Sequence, residues 1–233
     1  CLYLEHEKDI GGRFSVFSNV GMVPAILSGL KVQEIQEGAR NIYENYKIKN
    51  LNALGRVFRF QDLTKYSNNV IMTYSDSLYY FGKWYLQLWA ESIGKDQKGI
   101  TAIHSVGTTD QHSQLQLYLD GPRDKFFTFF NSSSKEKKNR ISKNIALSNM
   151  KFLKNKSLEN VVNAQRNATK AIFNLKKIPF RQIIFNKKSE RELGEIFTFF
   201  VLETILLAKL LEVNPLDQPS VEEVKIQTKK FLS

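Results

Sequence analysis

The chain reads as an α/β protein of three layers, α/β/α, built around a mainly parallel sheet. Two observations predict this. Short apolar runs, N-N-V-I-M-T-Y-S at 68–75, T-A-I-H at 101–104, K-F-F-T-F-F at 125–130 and R-Q-I-I-F at 181–185, have the length and composition of buried strands. Amphipathic stretches long enough to form helical crossovers stand between them, and parallel neighbours require such connections. With 233 residues, 42% of them hydrophobic, the chain can bury a sizeable core.

Taken in order, Gly11 to Gly21, with Ser15 and Ser18, predicts a loop carrying Arg13, and Pro24 suits the first turn of a helix running to about Tyr46. Arg13 reads either as a surface arginine capped by nearby carbonyls or as a fixed guanidinium aimed at developing negative charge. The strand at 68–75 leads into a helix from about Asp76 to Ser92. On it Trp84, Leu86, Leu88 and Trp89 are core candidates, and Gln87 and Glu91, four positions apart, share a face. Glu91 stands at the helix end beside Gly94 and Lys95, an unusual place for a carboxylate.

Gly107, Thr108, Thr109 and Asp110 predict a loop capping a helix that carries His112, and Asp120-Gly121-Pro122 closes that helix. A charged insertion follows at 132–147, then a helix N-capped by Ser157. Glu190 to Val213 is a long apolar helix. Glu195, Glu203 and Lys209 make it a core helix, since a membrane span would have to bury those charges. N-P-L-D-Q-P-S-V-E at 214–222 turns at two prolines into a terminal helix containing Lys225. The expected division is a domain at 1–213 and a C-terminal turn and helix at 214–233.

A net charge of +11 raises the question of nucleic acid. The densest basic run, K-E-K-K-N-R at 135–140, has no interleaved aromatics, so a solvated surface is expected, with neither a nucleic-acid partner nor a membrane. The lone cysteine, Cys1, excludes an intramolecular disulfide and suits the cytoplasm. The opening C-L-Y-L-E-H, without Met, reads as a fragment or processed product. His6 is expected in solvent and His104 as a hydrogen-bonded structural residue. The histidine spacing gives no compact metal-ligand motif.

G-G-R-F-S-V-F-S-N-V-G at 11–21, E-S-I-G-K at 91–95, G-T-T-D-Q-H-S at 107–113 and N-P-L-D-Q-P-S-V-E at 214–222 together resemble, in order, the signatures of the glucose-6-phosphate isomerase family. The resemblance runs from about residue 9 to 230. It corresponds to that family's second sugar-isomerase (SIS-like) domain and C-terminal region, and the family's first domain has no counterpart.

The resemblance implies interconversion of glucose 6-phosphate and fructose 6-phosphate through an enediol, without cofactor or metal. It implies Glu91 as base, Arg13 as stabiliser of the enediolate, and His112 for ring opening with Lys225 assisting. Gln87 and Gln218 correspond to positions near the sugar phosphate, and a homodimer completes the site. The family's glycine after D-Q-P is Ser220 here, which puts the local turn in question. Its Ser/Thr-rich phosphate loop is missing, for S-S-S-K at 132–135 sits in the charged insertion. Three readings stay open: an isomerase fragment needing its first domain, a noncatalytic sugar-phosphate-binding module, and a basic nucleic-acid-binding protein.

Overall fold

The structure, a computed structural model, describes residues 3–49, 65–132, 140–142 and 148–233. Most of the insertion at 132–147, with all but the first residue of the S-S-S-K segment and all but the last residue of the basic run, lies outside the described residues. By internal contacts the chain groups into two compact units. The first comprises Cys1–Gln61, Trp84–Thr101 and Ser189–Ser233; the second comprises Asp62–Lys83 and Ala102–Lys188.

The second unit holds the sheet, all but Thr101 at the start of one strand. Its strands are β1 (Asn68–Thr73), β2 (Thr101–Val106), β3 (Lys125–Ser132) and β4 (Phe180–Phe185), in the order β2-β1-β3-β4. β1 pairs parallel with β3 and β3 with β4, so the expected mainly parallel α/β class holds. Val70, Met72, Tyr74, Phe127 and Phe129 form one buried face with Tyr118, Phe173 and Ile178. On the alternate positions Ile71, Thr128 and Phe130 are buried as well, as strands covered on both faces must be.

Helices α4 (Gly107–Asp120) and α5 (Leu158–Leu175) supply Tyr118 and Phe173 to that core. The ring of Phe173 meets Phe127 edge-on at 4.7 Å. α5 begins as the sequence predicts. The Ser157 hydroxyl accepts from the Asn160 N–H, and Asn160 returns a bond to the Ser157 N–H.

α4 departs from expectation, because Gly107 to Asp110 form its first turn rather than a loop before it. No side chain caps it from Val106. Instead Asp110 Oδ2, inside the helix, accepts from the Val106 N–H at 2.5 Å.

The first unit is helical: α1 (Asn19–Leu27), α2 (Val32–Lys49), most of α3 (Tyr79–Ile93), α6 (Glu190–Leu210) and α7 (Pro219–Leu232). The single helix expected from Pro24 to about Tyr46 is two. Gly29 takes φ +78°, a left-handed conformation that ends α1, and Pro24 lies inside α1 rather than in its first turn. The loop expected around Arg13 is mostly a 3-10 helix, Gly12–Phe17.

α2 and α6 approach backbone to backbone. A Cβ at Gly38 would stand 2.0 Å from the Arg191 carbonyl oxygen, and one at Gly194 only 1.9 Å from that of Ile35. Those two glycines let the helices touch. Among the described residues no helix is long and apolar enough to cross a membrane.

Candidate active site

Arg13 is the centre of the first unit's polar cluster, and its side chain is wholly buried. A guanidinium carries five N–H donors in a rigid fork. All five find oxygen. Nε donates to Ser92 Oγ at 2.9 Å. Nη1 donates to Glu91 Oε2 at 3.1 Å and to Gln218 Oε1 at 2.9 Å. Nη2 donates to the carbonyls of Pro215 at 2.6 Å and Asp217 at 2.9 Å. Carbonyls cap Arg13 as expected, but on a buried side chain rather than a surface one, and one of its N–H groups faces the Glu91 carboxylate.

Glu91 reaches this position because α3 presents it two positions before the helix ends at Ile93. Its side chain is 23% exposed, enough to meet a ligand while one oxygen rests on Arg13. The other, Oε1, accepts from Gln87 Nε2 at 3.0 Å, as the four-residue spacing predicts. Each carboxylate oxygen thus has its own side-chain donor. The Arg13 backbone is fixed too, its carbonyl accepting from Trp84 Nε1 at 3.0 Å.

The segment 214–218 is strapped over the cluster by Lys95. Its ammonium pairs with Asp217 Oδ1 at 2.6 Å and also donates to the Asn214 carbonyl. The hydrogen bond from Lys95 holds the Asp217 carboxyl below the usual aspartate range. Lys98 Nζ adds a bond to the Leu211 carbonyl at 2.8 Å. Gln218 then precedes α7, which opens with Pro219 in its first turn. Ser220 lies within that helix and not among the residues of positive φ, so its backbone makes no demand for glycine.

The structure thus brings Arg13, Glu91, Gln87 and Gln218 together. Lys225 is on α7, exposed, with Nζ 2.6 Å from Glu222 Oε1. His112 is exposed on α4, in the second unit. His104 is the structural residue expected: its Nε2 lies 2.9 Å from Thr73 Oγ1, and burial lowers its pKa. His6, expected in solvent, is half-buried with Nε2 3.1 Å from the Ile10 carbonyl. Among the described residues no cluster of His, Cys, Asp and Glu is arranged to hold a metal.

Sequence reasoning missed Ser92, Lys95 and Asp217. The first two stand inside E-S-I-G-K, yet their partners are 79 or more positions away, and no local pattern signals such a pairing.

An α/β protein with a mainly parallel sheet and a fixed carboxylate–guanidinium pair is the class that fold and site define. The chain belongs to the phosphoglucose isomerase family, whose model matches residues 2–233. A probable glucose-6-phosphate isomerase of Methanococcus maripaludis is 33% identical over 228 residues, which is 95% of this chain and 51% of the relative. Glucose-6-phosphate isomerase of Methanocaldococcus jannaschii is 35% identical over 224 residues, covering 94% and 55%.

Among solved structures, a hypothetical protein of Thermus thermophilus superposes with TM-score 0.88 at 29% identity, covering 97% of this chain and 56% of that one. A glucose-6-phosphate isomerase of Chlamydia trachomatis shares the fold, with TM-score 0.76 at 22% identity over 98% of this chain and 48% of its own. The chain spans about half the length of the curated relatives it matches.

Proposed function

We propose that this chain supplies the proton-transfer centre of an aldose–ketose isomerase that interconverts glucose 6-phosphate and fructose 6-phosphate, a step of glycolysis and gluconeogenesis. The observation that carries the reading is the Arg13–Glu91 pair, with Gln87 and Gln218 bonded to its two members.

On the open-chain sugar, Glu91 takes the proton from C2. The electrons of that C–H bond form the C1–C2 double bond, and the carbonyl electrons move to O1, giving an enediolate. Protonation of O1, loss of the O2 proton and return of the proton from Glu91 to C1 complete the ketose. One carbon is reduced as its neighbour is oxidised, so the step balances without an external oxidant. A pre-oriented carboxylate contributes on the order of 10² to 10⁴ in rate.

The enediolate needs a donor, and one well-aimed donor contributes roughly 3 kcal/mol. Arg13 has no idle N–H, so it serves O1 by exchanging its contact with Gln218 or Glu91 for the developing charge. His112, with Lys225 assisting, passes a proton to the ring oxygen when the sugar opens, a task suited to imidazole near neutral pH. In this reading a cytoplasmic homodimer brings His112 from the neighbouring subunit, and a Ser/Thr-rich loop of the family's first domain holds the phosphate.

The test is solvent-deuterium entry at C2, measured for the chain alone and for the chain joined to such a phosphate-loop domain. Exchange in the joined form, reduced about 10² to 10⁴-fold by Glu91→Gln with the fold retained, is the expected result. Exchange at the parent rate in Glu91→Gln rules out Glu91 as the base. Binding of the sugar phosphate with no exchange in any form identifies a noncatalytic binding module instead.

A further inference from the structure

The second unit contains a cluster of polar groups that the isomerase reading does not use. On α5 the residues facing the sheet follow a helical stripe: Val162 and Phe173 pack in the core, and Thr169 is buried beside them. Arg166 lies on the same stripe, four positions after Val162 and three before Thr169. Its Nε is shielded from solvent and has no hydrogen-bond partner. Arg166 is half-buried, and a shielded N–H without an acceptor is a group that a ligand can satisfy.

The sheet beneath repeats the pattern. Val70 pairs with Phe127 and Met72 with Phe129, and the register continues through the bond from the Tyr74 N–H to the Phe130 carbonyl at 3.1 Å, setting Tyr74 beside Asn131. Asn131 is 2% exposed, and neither its amide nitrogen nor its oxygen has a partner. Native structures rarely leave such groups unpaired.

Tyr74 donates to Gln111 Oε1 at 2.9 Å, and burial pushes its phenol up to about 12, with Thr169 and Arg166 acting against that rise. Lys170, one turn beyond Arg166, donates to Gln182 at 2.9 Å. Burial lowers both cations, and Arg166 depresses Lys170 further. Glu159 is the carboxylate that acts on Arg166, and it makes no ion pair with it. Tyr74 and Asn131 stand at the carboxyl ends of β1 and β3, the edge at which parallel sheets receive ligands.

We propose that Arg166, Asn131 and Lys170 form a binding site for a small oxyanion, either inorganic phosphate or the phosphoryl group of an organic ester. Water would satisfy the Asn131 amide but brings no counter-charge to the Arg166 guanidinium, which makes no ion pair with Glu159. An oxyanion answers both, since its oxygens accept from the guanidinium fork and from the amide nitrogen together. The site shares no residue with the Arg13–Glu91 cluster, so its fate in the test below is independent of the isomerase reading.

The experiment measures thermal unfolding of the chain at fixed ionic strength while chloride is replaced by inorganic phosphate in one arm and by glycerol phosphate in the other. The parent chain shows a saturable gain, about 11-fold in the folding constant at tenfold excess over the dissociation constant. The arm that saturates at lower concentration identifies free phosphate or an ester as the ligand. Arg166→Met loses the saturable gain and is at least as stable as the parent in chloride, because a half-buried cation with an unsatisfied Nε has been removed. Arg166→Lys keeps the charge without the fork, and at least tenfold more anion is needed for the same gain. The general salting effect of phosphate is unsaturable and common to all variants. A parent chain with only that effect, or an Arg166→Met chain that still saturates, overturns the proposal.

Discussion

Every N–H of Arg13 is engaged, whereas a lysine in its place offers three donors from a single point. Arg13→Lys therefore cannot hold Ser92, Glu91 and the 215–218 carbonyls together. Breaking a buried charged network of this kind costs about 3–5 kcal/mol. The expected outcome is a clear fall in Tm, with Glu91 still on its helix by far-ultraviolet circular dichroism. An unchanged Tm would show that the network contributes no net stability.

Tyr74 offers a second check at the residue level. Its folded-state pKa, about 12, is raised above the usual 10, so the folded form disfavours the phenolate. The stability it confers is whole below pH 10 and is lost as pH rises from 10 to 12. Tyr118, raised by burial in the same core, pushes in the same direction. Unfolding followed by tyrosinate absorbance should rise steeply in that window and lessen in Tyr74→Phe.

Among elements, the strap from Asn214 to Gln218 depends on Lys95. Lys95→Met removes its bonds to Asp217 and to the Asn214 carbonyl. Because Asp217 is half exposed, the pair itself contributes on the order of 0.2–1 kcal/mol. The larger effect is local: amide exchange across 214–222 should quicken while the sheet keeps its protection. With the Asp217 pKa depressed, the bond is present above the ordinary aspartate value, near 4, and is lost as pH falls below it. Acid should loosen the strap of the parent and make little difference to the variant.

The strands were legible because each is an apolar run of strand length, and the start of α5 because Ser157 is a strong cap with its partner three residues on. The α1–α2 break was written as Ser28-Gly29, but the periodicity on either side disguised it. The start of α4 misled because Thr108, Thr109 and Asp110 are cap-forming types, and Asp110 caps from within the helix instead. At the site, Glu91 with Gln87 was readable from helical spacing. Arg13 with Gln218 was not, since their bond closes 205 positions and only motif order hinted at it.

At the scale of the molecule, the first unit is assembled from three separated stretches of chain and the second from two. A chain ending at Val213 should therefore retain the nuclear magnetic resonance signals of β1, β3 and β4 while losing those of the Arg13 cluster, whose partners at Pro215, Asp217 and Gln218 are gone. Loss of the sheet signals in that truncation would show that the two units do not fold separately.

The same arrangement fixes when the site can exist. Arg13 is synthesised well before residues 215–218, which together with α3 fill its fork. At ordinary synthesis rates of about 5–20 residues per second, roughly 10–40 s separate the arginine from its last ligands. For that interval an unanswered guanidinium waits in a nascent chain whose sheet can already form. Closure of a loop of 205 positions should make this a late event of folding, a delay that stopped-flow refolding of the chain can measure. Synonymous changes or pauses in the codons for 214–218 therefore bear on the Arg13 cluster more than those in the stretch that encodes the sheet.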